Sequence, residues 1–204
     1  KDLSEELIQC FAGLEKLCPH IHLPFQAGSN AVLKAMKRGY TREKYMDLIR
    51  ELKEARPGIA VTSDVMVGFP TETDEDHAST LQLLEAAPMT YLHVFPYSHR
   101  PGTASAILKP EVHGRIAQQR GKQLRDLADR KNLEFRSSLV GKELSVITLA
   151  QDGNEHTQAL STNYLKVEIS PGLVEANQIV SAEITGLTAE GLRGEIRDIN
   201  GSLG

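Results

Sequence analysis

The chain has 204 residues, 40% hydrophobic and 25% charged, ordinary proportions for a globular protein and enough for a sizeable core in one or two domains. No apolar run is long enough for a transmembrane helix, and the polar, helix-like opening at Lys1 resembles no signal peptide. The formal net charge of −4 argues against a protein that coats nucleic acid, and two cysteines, Cys10 and Cys18, make no disulfide framework, so a reducing, cytoplasmic setting without a membrane is expected.

Leu3, Leu7, Phe11, Leu14 and Leu17 fall on one helical face. His20 to Gln26 reads as a strand running into the turn Ala27-Gly28-Ser29, after which Asn30 is placed to cap a short helix carrying Val32, Leu33 and Met36. Thr41 is placed to cap a second helix, with Tyr45, Leu48, Ile49, Leu52 and Ala55 on its apolar side and Pro57-Gly58 as its stop. Ile59 to Phe69 is the next strand. Thr73 opens a helix whose first turn, Asp74-Glu75-Asp76, is acidic, as the helix dipole favours. Pro88 ends it, and Tyr91 to Tyr97 is a third strand. A β/α series of this kind predicts parallel strands joined by right-handed connections.

A long polar helix is expected from about Glu111 to Leu139, with one exposed face. Arg100 to Lys142 holds ten Lys/Arg against four Asp/Glu, whereas Glu143 to Gly204 holds three against nine. The basic middle suits phosphates, and it equally describes an ordinary solvated helix. After Val140 come short β-like runs: Glu143–Ala150, Thr157–Leu160, Tyr164–Ile169, Gln178–Gly186 and Leu192–Ile196. They are separated by the turn signals Asp152-Gly153-Asn154, Pro171-Gly172 and Ala189-Glu190-Gly191, which predicts a small β-barrel. The boundary is placed near Ser138–Gly141, giving domains 1–138 and 139–204.

Side chains alternate along a strand. His20, His22, Pro24 and Gln26 share one face of the first strand, Thr62, Asp64 and Met66 one face of the second, and Tyr91, His93, Phe95 and Tyr97 one face of the third. Parallel strands covered on both sides are apolar throughout, so this polar face predicts an inner wall that lines a cavity. The strand ends run into Gln26-Ala27-Gly28-Ser29, Gly68-Phe69-Pro70-Thr71-Glu72-Thr73 and Tyr97-Ser98-His99-Arg100-Pro101-Gly102-Thr103, all at the sheet edge where α/β folds bind ligands. Taken singly, Asp64 or any of the histidines reads first as a satisfied core polar group, and each loop as an ordinary turn; their common placement points to a site. Thr73-Asp74-Glu75-Asp76 reads as a helix start only. Cys10 and Cys18, eight positions apart, have no metal-ligand spacing.

The stretches Leu17-Cys18-Pro19-His20-Ile21-His22-Leu23-Pro24-Phe25-Gln26-Ala27-Gly28-Ser29, Val32-Leu33-Lys34-Ala35-Met36-Lys37-Arg38-Gly39-Tyr40-Thr41, Thr62-Ser63-Asp64-Val65-Met66-Val67-Gly68-Phe69-Pro70-Thr71-Glu72-Thr73 and His93-Val94-Phe95-Pro96-Tyr97-Ser98-His99-Arg100-Pro101-Gly102-Thr103 together resemble the radical S-adenosylmethionine (radical SAM) methylthiotransferase family over about residues 15 to 105. The β module after Gly141 is similar to the family's C-terminal TRAM domain, an RNA-binding fold. Thr162-Asn163-Tyr164-Leu165-Lys166-Val167, Leu17-Cys18-Pro19-His20 and His93-Val94-Phe95-Pro96-Tyr97-Ser98 resemble the branch that adds a methylthio group to threonylcarbamoyladenosine beside the tRNA anticodon. Thr71 stands where the family's loop has a second glycine, and Ala27 where serine is common.

The resemblance implies an α/β partial, TIM-like barrel with parallel strands, followed by a small all-β TRAM-like barrel. It implies S-adenosylmethionine and two 4Fe-4S clusters in the full-length enzyme. The family's CxxxCxxC motif does not occur here, so the chain is read as a fragment that holds no cluster or other metal and is inactive by itself, with its catalytic residues unassigned. By position, Gln26, Ser29 and Asp64 are expected to face SAM or the substrate base. Gly68 and Glu72 are expected in the loop supporting the adenosyl part, and Arg38 on the SAM carboxylate. Tyr97 and Arg100 are expected to stack on or pair with the nucleotide. The implied partner is the tRNA anticodon stem-loop, and an open barrel edge invites self-association. The alternatives are a sister enzyme acting on isopentenyladenosine in tRNA or on a ribosomal protein, and a non-catalytic RNA-binding module.

Overall fold

The computed structural model describes residues 3–150, 157–170 and 174–198. The turn signals at Asp152-Gly153-Asn154 and Pro171-Gly172 lie outside them. Two compact units result: Lys1–Leu17 with Ile21–Asn132, and Cys18–His20 with Leu133–Gly204.

In the first unit, α1 (Glu5–Gly13), β1 (His20–His22), α2 (Asn30–Ala35), α3 (Arg42–Ala55), β2 (Ala60–Val67), α4 (Asp74–Ala86) and β3 (Tyr91–Pro96) follow in order, then a 3₁₀ turn (Ala104–Ile107) and α5 (Gly114–Ser137). The strands form one sheet in the order β1-β2-β3. β2 and β3 are parallel, with Asp64 opposite His93 and Met66 opposite Phe95. This is the expected parallel α/β arrangement.

The alternation expected in β2 is present: Val61, Ser63, Val65 and Val67 are buried, while Thr62, Asp64 and Met66 are half-buried. The buried face packs against Ile8 and Phe11 of α1, Tyr45, Ile49 and Leu52 of α3, Leu83 and Leu84 of α4, and Leu124 and Leu127 of α5. A fully buried aliphatic such as Ile49 or Leu52 contributes about 1.5–3 kcal/mol relative to exposure, so these helices are held by their stripes rather than by propensity. Burial pushes the Tyr45 phenol well above its ordinary pKa; its hydroxyl donates to Leu23 O at 2.7 Å and lies 3.1 Å from Ser63 Oγ.

Several local expectations are corrected. Ser29, not Asn30, caps α2, because its hydroxyl accepts from the Ala31 and Val32 amides. The first strand is regular only over His20–His22: Pro24 has no N–H for a ladder, and pairing resumes only as an isolated bridge between Gln26 and Val65. The buried face of α1 is Ile8 and Phe11, whereas Leu7 and Leu14 are exposed. The long helix begins at Gly114 rather than near Glu111. Thr41 and Thr73 cap as expected, Thr73 in a reciprocal capping box with Asp76.

In the second unit, β4 (Glu143–Thr148), β5 (Thr157–Ser161), β6 (Lys166–Ile169), β7 (Ile179–Leu187) and β8 (Leu192–Asp198) close a barrel in the order β4-β5-β6-β8-β7. All five β-like runs are therefore strands. β6 and β8 are parallel and the other pairs antiparallel. Val146, Val167, Ile169, Val180, Ile184 and Leu192 fill the interior. A Cβ at Gly191 would stand 2.4 Å from Lys166 O, so the close approach of the β7–β8 turn to β6 requires glycine there. The last turn of α5 belongs to this unit: the buried Arg136 donates to the carbonyls of Thr188 and Gly191 at 3.1 and 3.0 Å.

Candidate functional site

The three strand ends of the first unit define a rim, and the loops there are built by hydrogen bonds among themselves. Gln26 takes φ 72. Its N–H donates to Asp64 O at 2.8 Å and its carbonyl accepts from the Met66 amide at 2.9 Å. The left-handed turn brings the next residues onto α4. There the Gly28 amide donates to Thr80 Oγ1 at 2.9 Å, and a Cβ on Gly28 would meet Thr80 Cα at 2.4 Å. Ser29 Oγ donates to Asp76 Oδ1 at 2.5 Å, while Asp76 Oδ2 accepts from the amide and hydroxyl of Thr73. One carboxylate thus ties the start of α2 to the start of α4. Partial burial pushes the Asp76 pKa up, but hydrogen bonds from Ser29 and Thr73 outweigh it and hold the carboxyl below its ordinary value.

The second loop is closed from inside. Glu72 is buried, and its Oε2 accepts from the Gly68 amide at 2.8 Å and from Arg120 Nη1 at 2.6 Å. Arg120 also reaches Glu72 O at 3.1 Å and Asp74 Oδ1 at 2.7 Å. Burial lowers the Arg120 pKa, but its two carboxylate partners outweigh that and raise it. Gly68 (φ +74) lies so close to α5 that a Cβ would sit 2.7 Å from Ala117 Cβ. Thr71 takes φ 77, a conformation that favours glycine.

Above these loops lies a cleft of about 420 Å³, lined by Gln26, Lys37, Arg38, Phe69, Tyr97 and Arg100 among others. A small apolar cluster of Ala27, Val32, Leu33 and Phe69 adjoins it through Phe69. Phe69 and Tyr97 meet edge to face at 5.5 Å, and the Tyr97 hydroxyl donates to Ser105 Oγ at 3.1 Å. Lys37 turns the chain at φ 56, with the Arg38 amide donating to Leu33 O at 2.9 Å, and this presents two consecutive cations at the end of α2. No carboxylate lines the cleft, and among the described residues Lys37, Arg38 and Arg100 form no ion pair. Positive charge beside aromatic rings suits a ligand that combines an anion with a planar base.

The face of the sheet opposite the helices carries a second polar group. His22 Nε2 lies 3.3 Å from Asp64 Oδ2, and His22 Nδ1 lies 3.0 Å from Thr62 Oγ1. The His22 and His93 rings stand edge to face at 6.2 Å. This is the expected polar wall.

Comparison with known proteins decides the family. The family model described as Radical SAM superfamily matches residues 2–84. Threonylcarbamoyladenosine tRNA methylthiotransferase MtaB of Aquifex aeolicus is 38% identical over 180 residues, which are 88% of this chain and 42% of that protein. A tRNA-2-methylthio-N(6)-dimethylallyladenosine synthase of Syntrophotalea carbinolica is 46% identical over 147 residues, 72% of this chain and 34% of that protein. One of Geotalea uraniireducens is 43% identical over 198 residues, 96% of this chain and 45% of that protein. The chain belongs to the radical SAM methylthiotransferases. It spans less than half the length of these curated relatives.

Of the residues expected to form a methylthiotransferase site, the cleft brings together Gln26, Arg38, Tyr97 and Arg100. Asp64 lies on the same rim through its backbone bond to Gln26, with its carboxylate turned to His22. Ser29, Gly68 and Glu72 do not line the cleft; they build the loops beneath it. Lys37, Phe69 and Arg120 were not singled out from the sequence. Lys37 had a signal in its adjacency to Arg38, whereas Arg120 lies 48 residues from Glu72 and had none. A four-iron cluster requires cysteine thiolates. Cys10 is half-buried and Cys18 exposed, and among the described residues no three His, Cys, Asp or Glu converge. The described residues do not fit a cluster. No helix among them is long and apolar enough to cross a membrane.

Proposed function

We propose that this chain is part of a tRNA methylthiotransferase acting on threonylcarbamoyladenosine beside the anticodon, and that the rim cleft holds SAM and the reacting nucleotide. The carrying observation is the cleft with three unpaired cations, no carboxylate and an aromatic wall. Arg38 pairs with the SAM carboxylate through its guanidinium fork. Gln26 offers an amide for hydrogen bonds to the bound nucleoside, and Tyr97 and Arg100 receive the substrate base. SAM supplies the radical and the methyl group when bound; this chain's residues bind and orient. The cluster ligands are assigned to sequence outside these 204 residues, which makes the chain alone inactive, and the barrel is read as a TRAM-like RNA-binding module.

Threonylcarbamoyladenosine carries a carboxylate of its own, whereas an isopentenyl group is apolar. Three cations exceed what the SAM carboxylate needs, which favours the charged substrate. The second reading is the isopentenyladenosine enzyme, favoured by the dimethylallyladenosine synthases among the relatives. Mass spectrometry of tRNA nucleosides from a strain lacking the gene separates the two. Loss of the methylthio-threonylcarbamoyl nucleoside alone is expected. Loss of the methylthio-isopentenyl nucleoside instead transfers the assignment.

A further inference from the structure

We propose that one face of α5 continues the cationic cleft as a track for the phosphate backbone of the RNA that delivers the nucleotide. The proposal rests on reading the rim cleft as a nucleotide site and extends it to residues outside that cleft. Three depressions adjoin along the rim. The cleft of about 420 Å³ shares Pro96 and Tyr97 with a second of about 400 Å³ between β3 and α5. The second shares Gln118 and Arg125 with a third of about 630 Å³ along α5.

The helix is built for this. Ala117, Arg120, Gly121, Leu124, Leu127 and Ala128 turn inward or toward the neighbouring elements. Arg115, Gln118, Lys122 and Arg125, spaced by three, four and three residues, share an exposed stripe. From Arg115 to Arg125 the stripe runs about 15 Å at 1.5 Å per residue. A Cβ on Gly121 would meet Arg125 Nη1 at 3.1 Å, so a glycine one turn back gives the guanidinium room to lie along the helix toward the second depression.

The ordinary alternative is a solvated helix whose charges cancel locally. Lys122 and Arg130 behave that way, pairing with Asp126 at 2.6 Å and Glu85 at 2.5 Å. Arg115 and Arg125 do not: among the described residues neither has an ion-pair partner. Together with Lys37, Arg38 and Arg100 they line three adjoining depressions without ion-pair partners; the middle one also holds Glu111, which is paired with Lys109, and Tyr97 stands where the first two meet. Uncompensated cations beside an aromatic ring are what a single-stranded nucleic acid requires, through phosphate neutralisation and base stacking.

The test is fluorescence anisotropy of the 204-residue chain with a labelled 17-nucleotide anticodon stem-loop RNA, titrated at several salt concentrations. Each phosphate contact on a single strand contributes about 0.7 to the slope of log affinity against log salt. R115Q/R125Q is expected to reduce the slope by about 1.4 and to weaken binding on the order of tenfold near 0.1 M salt. K16Q/R50Q changes net charge equally, away from the stripe, and is expected to bind within about twofold of the parent. Unchanged melting temperatures show that both variants are folded, and glutamine is a good helix former.

Equal effects of the two pairs, or no measurable binding by the parent at low salt, overturn the track. Equally tight binding of heparin, which has charge but no bases, overturns the assignment to RNA. The nucleoside assay on the deletion strain is independent: loss of the modified nucleoside with no effect of R115Q/R125Q leaves the enzymatic reading standing and removes only the track.

Discussion

Replacing Thr71 with glycine is expected to stabilise the first unit. Thr71 sits at φ 77 in the loop between β2 and α4. The left-handed region costs an L-residue about 1–2 kcal/mol, and a β-branched side chain is especially disfavoured there. The side chain makes no compensating hydrogen bond among the described residues; only the Thr71 amide is engaged, donating to Pro110 O at 2.8 Å. Glycine removes the steric term and retains that bond. Against it stands the extra freedom of glycine in the unfolded chain, about 0.4–1 kcal/mol. The difference is a stabilisation of about 0.5–1 kcal/mol, or roughly 2–5 °C in melting temperature for a unit of this size. Urea denaturation followed by circular dichroism measures it as a raised midpoint at unchanged slope. A T71G variant less stable by about 1 kcal/mol or more refutes the reasoning, because Thr71 would then hold contacts worth more than its backbone strain.

Two further substitutions probe the same rim. Gly68→Ala combines a left-handed backbone with a Cβ 2.7 Å from Ala117 Cβ, and is expected to cost about 2–3 kcal/mol in denaturant unfolding; a cost below about 0.5 kcal/mol would show that α5 moves freely away from the loop. Asp76 has a folded pKa held below its ordinary value, so its contribution is complete above the unfolded carboxylate value of about 3.9 and is lost as pH falls through the lower folded value. The D76N variant is expected to lose stability at pH 6 and to show a shallower decline between about pH 4 and 2 than the parent; identical profiles would remove Asp76 as the tie between α2 and α4.

Much of the rim was legible because its signals are local. Thr41 and Thr73 cap by bonding amides three residues on, and strict alternation in β2 follows from the period of a strand. The β-barrel strands were visible because turn residues punctuate them. The failures have physical causes too. Ser29 and Asn30 are both good caps, and the choice fell to Ser29 because its hydroxyl also reaches Asp76, 47 residues away. The first strand was overextended because Pro24 and the left-handed Gln26 interrupt a run whose composition is otherwise strand-like. Glu72 looked like a residue facing a ligand from its loop alone. That its carboxylate turns inward depends on Arg120, which no pattern near residue 72 announces.

The engagement of the nearby acids in local bonds explains how a chain with a net charge of −4 lines its cleft with cations alone. The loop after β2 contains Glu72, the first turn of α4 contains Asp74 and Asp76, and Asp64 lies on β2 just before that loop. Arg120 takes Glu72 and Asp74, the two cap hydroxyls take Asp76, and His22 takes Asp64. Each carboxylate is spent on holding a loop or the wall. Lys37, Arg38 and Arg100 are left facing the cleft without a counter-charge. None of these four carboxylates lines the cleft. The acids beside the cleft therefore hold its loops while the cations line it, and Glu72→Gln, which removes one of Arg120's two carboxylate partners, is expected to alter the loop before it alters the ligand's electrostatics.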